Sequence, residues 1–340
     1  MKRTLLALCI AALALPLFAD DALVLPAHVI RTYFVGAYAS ASRGYDSDGK
    51  SYGLSSANDG YDSMKAFNLG AAVEYGINDW ISGAVQWVPG YFVSSKVESD
   101  EFGSATPSLA DAADLFIGAK VQIVGEKAPV QNDKIRFCVA PGIKVPISKP
   151  DWAKEAENIP AGKDFLFSPA DKHLFALGSR GFFDYIINES VFLNLYTQFL
   201  YYPGSVKATD ASFSDYYTVA TVQGMTHDTT YDPSLKYGYN LTLEFEPHYN
   251  TMISDGIEFE AGLPFTYTYS PAVSASDDTY DAYKDADSSH FLTIGPNATL
   301  FFQKAPLPIE VELGDYIPLA GKNTPETNSF YVELKVYAKI

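Results

Sequence analysis

The chain of 340 residues is acidic, with 41 Asp and Glu against 24 Lys and Arg and a formal net charge of −17. That balance excludes a protein that tracks nucleic-acid phosphates, which it would repel. Aromatics are 14% of residues, 24 Tyr and 22 Phe among them, as expected where aromatic belts sit at a membrane interface.

The first 19 residues have the form of a cleaved signal peptide. Lys2 and Arg3 form a basic start, 5–17 is a short apolar run, and Leu17-Phe18-Ala19 ends in a small residue, with Asp20 the expected mature start. A lipoprotein leader is not expected, because only Leu6-Ala7-Leu8 separates Leu5 from Cys9. Residues 20–340 are then one domain with a single cysteine, Cys138, which leaves no intrachain disulfide and argues against a disulfide-stapled module. No later run approaches the ~18 apolar residues of a membrane helix, so any crossing must use strands.

Twelve strand-like segments follow, at 28–40, 66–77, 80–93, 113–125, 134–147, 172–187, 190–202, 236–249, 256–269, 290–303, 309–319 and 329–340. The second and third are the clearest. From Phe67 to Ile77 every second residue is apolar (Phe67, Leu69, Ala71, Val73, Tyr75, Ile77), which gives a strand one greasy face. Asn78-Asp79 is expected to turn the chain, and Ile81, Val85 and Trp87 continue the apolar face on the return arm. Arms of ten or so residues suit a tilted membrane strand. The connections alternate: 41–65, 94–112, 148–171, 203–235 and 270–289 are long, and those on the other side are short. An even strand count with loops sorted in this way predicts an all-β, antiparallel, up-and-down transmembrane barrel of about 12 strands, with long extracellular loops and short periplasmic turns.

The same alternation predicts the lipid face. It takes Leu115, Ile117, Val121 and Ile123 from the fourth strand, Leu241, Leu243 and Phe245 from the eighth, and Val332, Leu334, Val336 and Ile340 from the last. Tyr201, Tyr239, Tyr267 and Tyr269 are expected in an outer girdle, and Tyr75, Trp80, Tyr185 and Phe245 in an inner one. The first strand fits least well. Arg31 shares a phase with Val29, Tyr33 and Val35, and is expected to snorkel at the periplasmic rim. Pro141, Pro264 and Pro296 each remove a ladder donor, so bulges are expected there.

The opposite phase should line the lumen. Strands four to six place Lys120, Arg136, Lys144 and Arg180 there, with Asp184 as the acid among them. Strands eight, nine and eleven place Glu244, Glu246, Glu258, Glu260, Glu310 and Glu312 there. A basic wall would face an acidic one and favour polar or zwitterionic solutes. The blander reading is local pairing, Arg136 with Asp184 for instance. Phe116, Phe182, Tyr196, Phe291 and Phe301 share this phase, as a stacking track or as filling.

The loops offer less. Asp46-Ser47-Asp48-Gly49 and the acids from Asp277 to Asp287 have a spacing that suits Ca²⁺, but neither matches a full calcium loop, so no metal is expected. Residues 152–158, capped by Asp151, are expected to form a short helix over the mouth. Chemistry is weighed as a second class. There is no His-x-Ser, and His227-Asp228, with Asp210 or Asp215, is the nearest thing to a catalytic rim. A solvated loop histidine is the commoner state, so no catalytic residue is assigned.

Four passages carry a resemblance: Leu25-Pro26 before the first strand, Tyr75-Gly76-Ile77-Asn78-Asp79-Trp80-Ile81, Asp114 to Lys120, and Val139 to Pro146. They are similar to the outer-membrane group around the FadL-like and MetA-pathway (phenol degradation) proteins. The resemblance implies import of apolar or aromatic compounds without a cofactor. It departs at the start, where about eight residues before the first strand are too few for a FadL hatch. The last strand, 329–340, resembles the signal read by the barrel-assembly machinery, with Ile340 in place of the usual Phe or Trp. The expectation is a passive channel or importer of small solutes in the outer membrane of a diderm bacterium, bounded by lipid and without nucleic-acid partners. A structural or adhesin barrel is the alternative.

Overall fold

The computed structural model describes residues 21–54, 63–98, 112–147, 172, 174–211, 233–276 and 287–340. The leader 1–19, the expected helix 152–158, His227-Asp228 and the acids of 277–286 lie outside the described residues.

Each strand pairs antiparallel with the next. In chain order they are β1 (Val29–Ala41), β2 (Ser63–Asn78), β3 (Ile81–Glu98), β4 (Leu115–Gly125), β5 (Ile135–Val145) and β6 (Ala176–Ile186). They continue as β7 (Val191–Tyr201), β8 (Tyr239–Ser254), β9 (Ile257–Gly262 and Phe265–Ser270), β10 (Ser289–Ile294 and Asn297–Phe302), β11 (Ile309–Lys322) and β12 (Asn328–Lys339). The ring closes where β12 meets β1, from Val29 opposite Lys339 to Ser40 opposite Asn328. The fold is a closed twelve-strand antiparallel barrel with small extra strands, so no barrel edge is left unpaired.

Short polar residues close the tight turns through their own side chains. Asn78 Oδ1 accepts the Trp80 amide at 2.9 Å and Asn188 Oδ1 accepts the Ser190 amide at 2.8 Å. Two boundaries differ from expectation. The first turn is Asp79-Trp80, because Asn78 still pairs with Ile81. β8 runs on to Ser254, so its turn is Asp255-Gly256 and not 250–255. Gly256 has φ +84°, which suits the Asp-Gly hairpin turn and which a side chain would resist.

Pro141, Pro264 and Pro296 do not make the expected bulges. Pro141 keeps its place opposite Ser179, with no register shift between β5 and β6. At Pro264 and Pro296 the strands lapse for two residues and resume in the same register against each other: Gly262 faces Asn297 before the break and Phe265 faces Ile294 after it. A missing donor therefore removes hydrogen bonds without changing which face follows. The shifts lie elsewhere. Val88, Pro89 and Gly90 face the single Gly70 of β2, where Asn68 Nδ2 donates to Pro89 O at 2.6 Å.

The outer face is as the alternation predicts on every strand except the first. Leu69, Val73, Ile117, Leu243, Phe245 and Val332 are exposed on the outside of the ring, and no second sheet covers Leu243 or Phe245. In β1 the phase is reversed. Phe34 and Tyr38 face out, while Arg31, Tyr33, Val35 and Ala37 face in. Residues opposite each other in an antiparallel pair share a face, and Tyr33 stands opposite the buried Ala72, Phe34 opposite Ala71. The cause is a dry sector of the interior. Val35 and Ala37 pack with Tyr45, Phe291, Tyr316 and Tyr331, and Tyr316 and Tyr331 stack at 5.6 Å.

Two small sheets sit at the long-loop end. Arg43–Tyr45 pairs with Ser51–Gly53 and Thr324–Pro325, carrying Tyr45 into the dry sector. Val206–Lys207, Ser234–Lys236 and Ser274–Ala275 form the other, over buried Ala208, Leu235 and Val273.

Candidate functional site

The interior of the ring is the candidate site, and the strands build it from alternate side chains. A strap that precedes β1 also enters it, which the residues of 21–27 gave no sign of. Ala22 is fully buried. Its amide donates to both oxygens of Asp184, at 3.2 and 3.1 Å. Its carbonyl accepts from Gln122 Nε2 at 2.7 Å and Cys138 Sγ at 3.0 Å. Lys120 Nζ donates to Asp21 O at 2.6 Å. Val24 packs against Ala22, Cys138, Ala140, Phe182 and Tyr196. The strap leaves over Gly76, where a β-carbon would meet the carbonyls of Leu25 and Pro26.

The basic residues expected in the lumen fall into two kinds. Arg136 lies 3.4 Å from Asp184, and Lys144 lies 3.4 Å from Asp114, so both face a carboxylate on their own side of the ring. Lys120 and Arg180 instead lie over rings. Lys120 Nζ is 4.2 Å from the centre of Phe182, and the Arg180 guanidinium is 3.9 Å from that of Phe116, distances at which a cation is held by the ring face. Phe116 lies flat because Gly118, Gly142 and Gly178 stand opposite one another across β4, β5 and β6. A β-carbon on any of the three would press on its ring. Arg180 Nη1 donates to Gln86 Oε1 at 2.5 Å, and Gln86 Nε2 donates to the Tyr33 hydroxyl at 2.6 Å. Tyr196 is buried and its hydroxyl donates to Gln198 Oε1 at 2.7 Å.

The acidic residues lie on β8 to β12. Thr266 donates to Glu244 at 2.5 Å, and Glu246 faces His248 Nε2 at 2.9 Å and Asn297 Nδ2 at 2.8 Å. Lys335 of β12 joins Glu310, Glu312 and Glu333 at 2.7, 3.3 and 3.1 Å. Tyr337 and Tyr331 donate to Glu310 and Glu312 at 2.7 and 2.6 Å. Glu258 takes Gln303 Nε2 at 2.7 Å, and Glu260 is half-buried on the same strand. Lys335, Glu333, Arg31 and Glu74 belong to this interior but were not among the expected lining. Glu333 and Lys335 could be read from the phase of the last strand, which puts Val332 and Leu334 outside.

In the loops, Asp46 closes its own turn, accepting the amides of Asp48 and Lys50 at 2.9 and 2.8 Å. Among the described residues no group of three or more His, Cys, Asp or Glu is placed to hold a metal ion, and no helix is long and apolar enough to cross a membrane.

No protein-family model matches the chain, and no curated protein matches it. The chain is similar in structure to the COG4313 outer membrane channel from Pseudomonas putida F1, at TM-score 0.62 and 11% identity, over 95% of this chain and 100% of that one. A Pseudomonas aeruginosa FadL homologue aligns at TM-score 0.36 and 12% identity, over 97% and 92% of the two chains. The P. putida toluene transporter TodX aligns at TM-score 0.39 and 9% identity, over 98% and 92%. The last two likenesses are too weak to add to the fold. The outer-membrane barrel fold expected from the sequence fits the first of these neighbours. The chain has the fold of the first of them, a closed antiparallel β-barrel.

Proposed function

We propose that the chain is a passive outer-membrane channel or importer for small solutes, working without covalent chemistry or a cofactor. The observation that carries this reading is a closed ring with an apolar outside and a charged inside. Leu69, Val73, Leu243 and Phe245 face out, and Lys120, Arg180, Glu244 and Glu246 face in. In water such an outer band would be an aggregation surface; in a bilayer it is the expected surface of a barrel. The membrane is that of a diderm bacterium, reached after loss of 1–19, with 329–340 as the strand presented to the assembly machinery. Selectivity then rests on the lumen charges, the lumen aromatics and the loops.

A second reading has an observation of its own. Tyr45, Phe291, Tyr316 and Tyr331 fill one sector of the interior, and the strap occupies another, which favours a structural or adhesin barrel without flux. The test is conductance in planar bilayers with solute flux into liposomes. Steady ion and solute flux supports the channel; a heat-modifiable, detergent-requiring barrel with neither supports the second reading. A protein that stays soluble without detergent and runs identically boiled or unboiled would overturn both.

A further inference from the structure

We propose that the hairpin 42–54 is a lid at the long-loop mouth, shut in this structure, which seats Tyr45 as a plug in the dry sector and is clasped at its rim by Glu326. The lid makes that sector closable and not merely filled, and it rests on the channel reading only for what its opening admits. The hairpin is a unit of its own. Arg43–Tyr45 pairs with Ser51–Gly53, the Asp46 amide donates to Lys50 O at 3.0 Å, and the Leu54 amide donates to Ser42 O at 3.1 Å. A bend at Ser42 parts it from β1, and among the described residues no ladder joins its small sheet to the barrel sheet. It meets the β11–β12 loop at two paired positions, Gly44 with Pro325 and Tyr45 with Thr324. Two flanking amides complete the seam: Glu326 donates to Arg43 O at 2.9 Å and Asn323 donates to Asp46 O at 3.2 Å. A self-contained hairpin on a short seam is an element that can swing as one body.

Its two ends differ in chemistry. At the inner end Tyr45 is buried with Val35, Ala37, Phe291, Tyr316 and Tyr331, its ring centre 6.5 Å from that of Phe291. The seat is shaped to this ring, since a β-carbon on Gly321 of β11 would come within 2.5 Å of it. At the rim, Arg43 Nε donates to Glu326 Oε2 at 3.2 Å and to Ser51 Oγ at 3.0 Å, and the Ser51 hydroxyl donates to the same Glu326 oxygen. Glu326 therefore ties both arms of the hairpin to the β11–β12 loop. The Arg43 and Glu326 side chains are 54% and 24% exposed, so water and salt compete for this tie, as they do for any surface ion pair. The dry end holds the lid shut, and the wet end is where it is released.

The test separates opening from flux. Ala37→Cys places a thiol behind Tyr45, and its reaction with a sulfonated maleimide is followed at position 37 by peptide mass in the folded, detergent-solubilised full-length barrel, with Cys138→Ala throughout. Arg43→Cys with Glu326→Cys supplies a lock, because opposed positions whose backbones share a hydrogen bond lie within disulfide reach. The oxidised lock should slow labelling at least tenfold relative to the same protein reduced beforehand. Reduced, it lacks the rim tie and should label faster than the parent, as should Arg43→Ala. Tyr45→Ala should label at least tenfold faster than the parent, and Gly321→Val, which crowds the ring from its seat, should shift the rate the same way. If Gly321→Val fails to give the folded gel band, Tyr45→Ala is read in its place. Equal labelling of the oxidised and reduced lock would overturn the lid, and parent-like labelling of Tyr45→Ala would overturn the plug. Conductance is scored apart: lock-dependent labelling without conductance leaves the lid standing and removes the channel, and conductance with lock-independent labelling does the reverse.

Discussion

Arg31 Nη2 lies 2.5 Å from Glu74 Oε2, inside the ring and across the β1–β2 ladder, with the two side chains 11% and 5% exposed. The residue that seemed misplaced on a lipid face is therefore one half of a buried ion pair. Removing one partner of such a pair leaves a charge without its counterpart, which costs about 3–5 kcal/mol. Arg31→Met should lower stability by that order, read from the unfolding midpoint in detergent. Arg31→Met with Glu74→Gln should recover most of it. A double variant as unstable as the sum of the two single ones would show that the pair is not coupled.

Lys335 is shared by Glu310, Glu312 and Glu333 and its side chain is 14% exposed, whereas Lys304 pairs with Asp255 at side-chain exposures of 64% and 88%. Lys335→Met should cost at least about 3 kcal/mol, since it strips three carboxylates of one cation. Lys304→Met should change stability by less than about 0.5 kcal/mol. Equal losses from the two variants would contradict the difference in burial.

The Gly118, Gly142 and Gly178 row leaves no room for a larger side chain beneath Phe116. Gly142→Val should destabilise the barrel by about 1–3 kcal/mol through overpacking, and adding Phe116→Ala should return part of that loss. No relief from the second change would mean that the ring is not what the valine strikes.

Deleting residues 21–25 takes away the segment held by Asp184, Gln122, Cys138 and Lys120. In a conducting barrel the expected result is a larger unitary conductance with the gel shift retained. Conductance equal to that of the parent would place the narrowest point elsewhere, with Tyr316 and Tyr331 the next residues to vary.

In the loop before β10, the Lys322 ammonium beside Asp287 holds that carboxyl below the usual carboxylate range, helped by the Ser288 amide. A depressed folded value means that the tie is at full strength above the unfolded value of about 4. It is lost as pH falls through the folded value. Amide exchange at Ser288, corrected for its intrinsic rate, should therefore quicken in strong acid. Asp287→Asn should remove that dependence, and a variant that keeps it would assign the protection to another group.

Much of the barrel was legible because lipid imposes a period of two on one face. Phe67 to Ile77 and Leu241 to Phe245 obey it, so their outward sets follow directly. β1 misled because its inner face is also apolar: Val35 and Ala37 pack with Tyr316 and Tyr331, and hydropathy alone cannot tell lipid from a dry lumen. The prolines misled differently, since a lost donor need not shift a register, as Gly262 opposite Asn297 and Phe265 opposite Ile294 demonstrate. Asp255-Gly256 is a readable turn pair, but the polar run before it hides how far β8 extends. Lys335 was readable from its phase. The strap was not, because Asp21 to Ala27 carry no pattern and their partners are set by the closed ring.

Those partners lie 100, 116 and 162 positions further along the chain, at Gln122, Cys138 and Asp184. The amino end therefore has nowhere to settle until the sixth strand has been laid down. It is a latch whose seat exists only once the strands that form it, β4, β5 and β6, are in place. A docked latch thus reports that half of the circumference has been laid down in register, so that the earliest residues of the domain certify the work of the later ones.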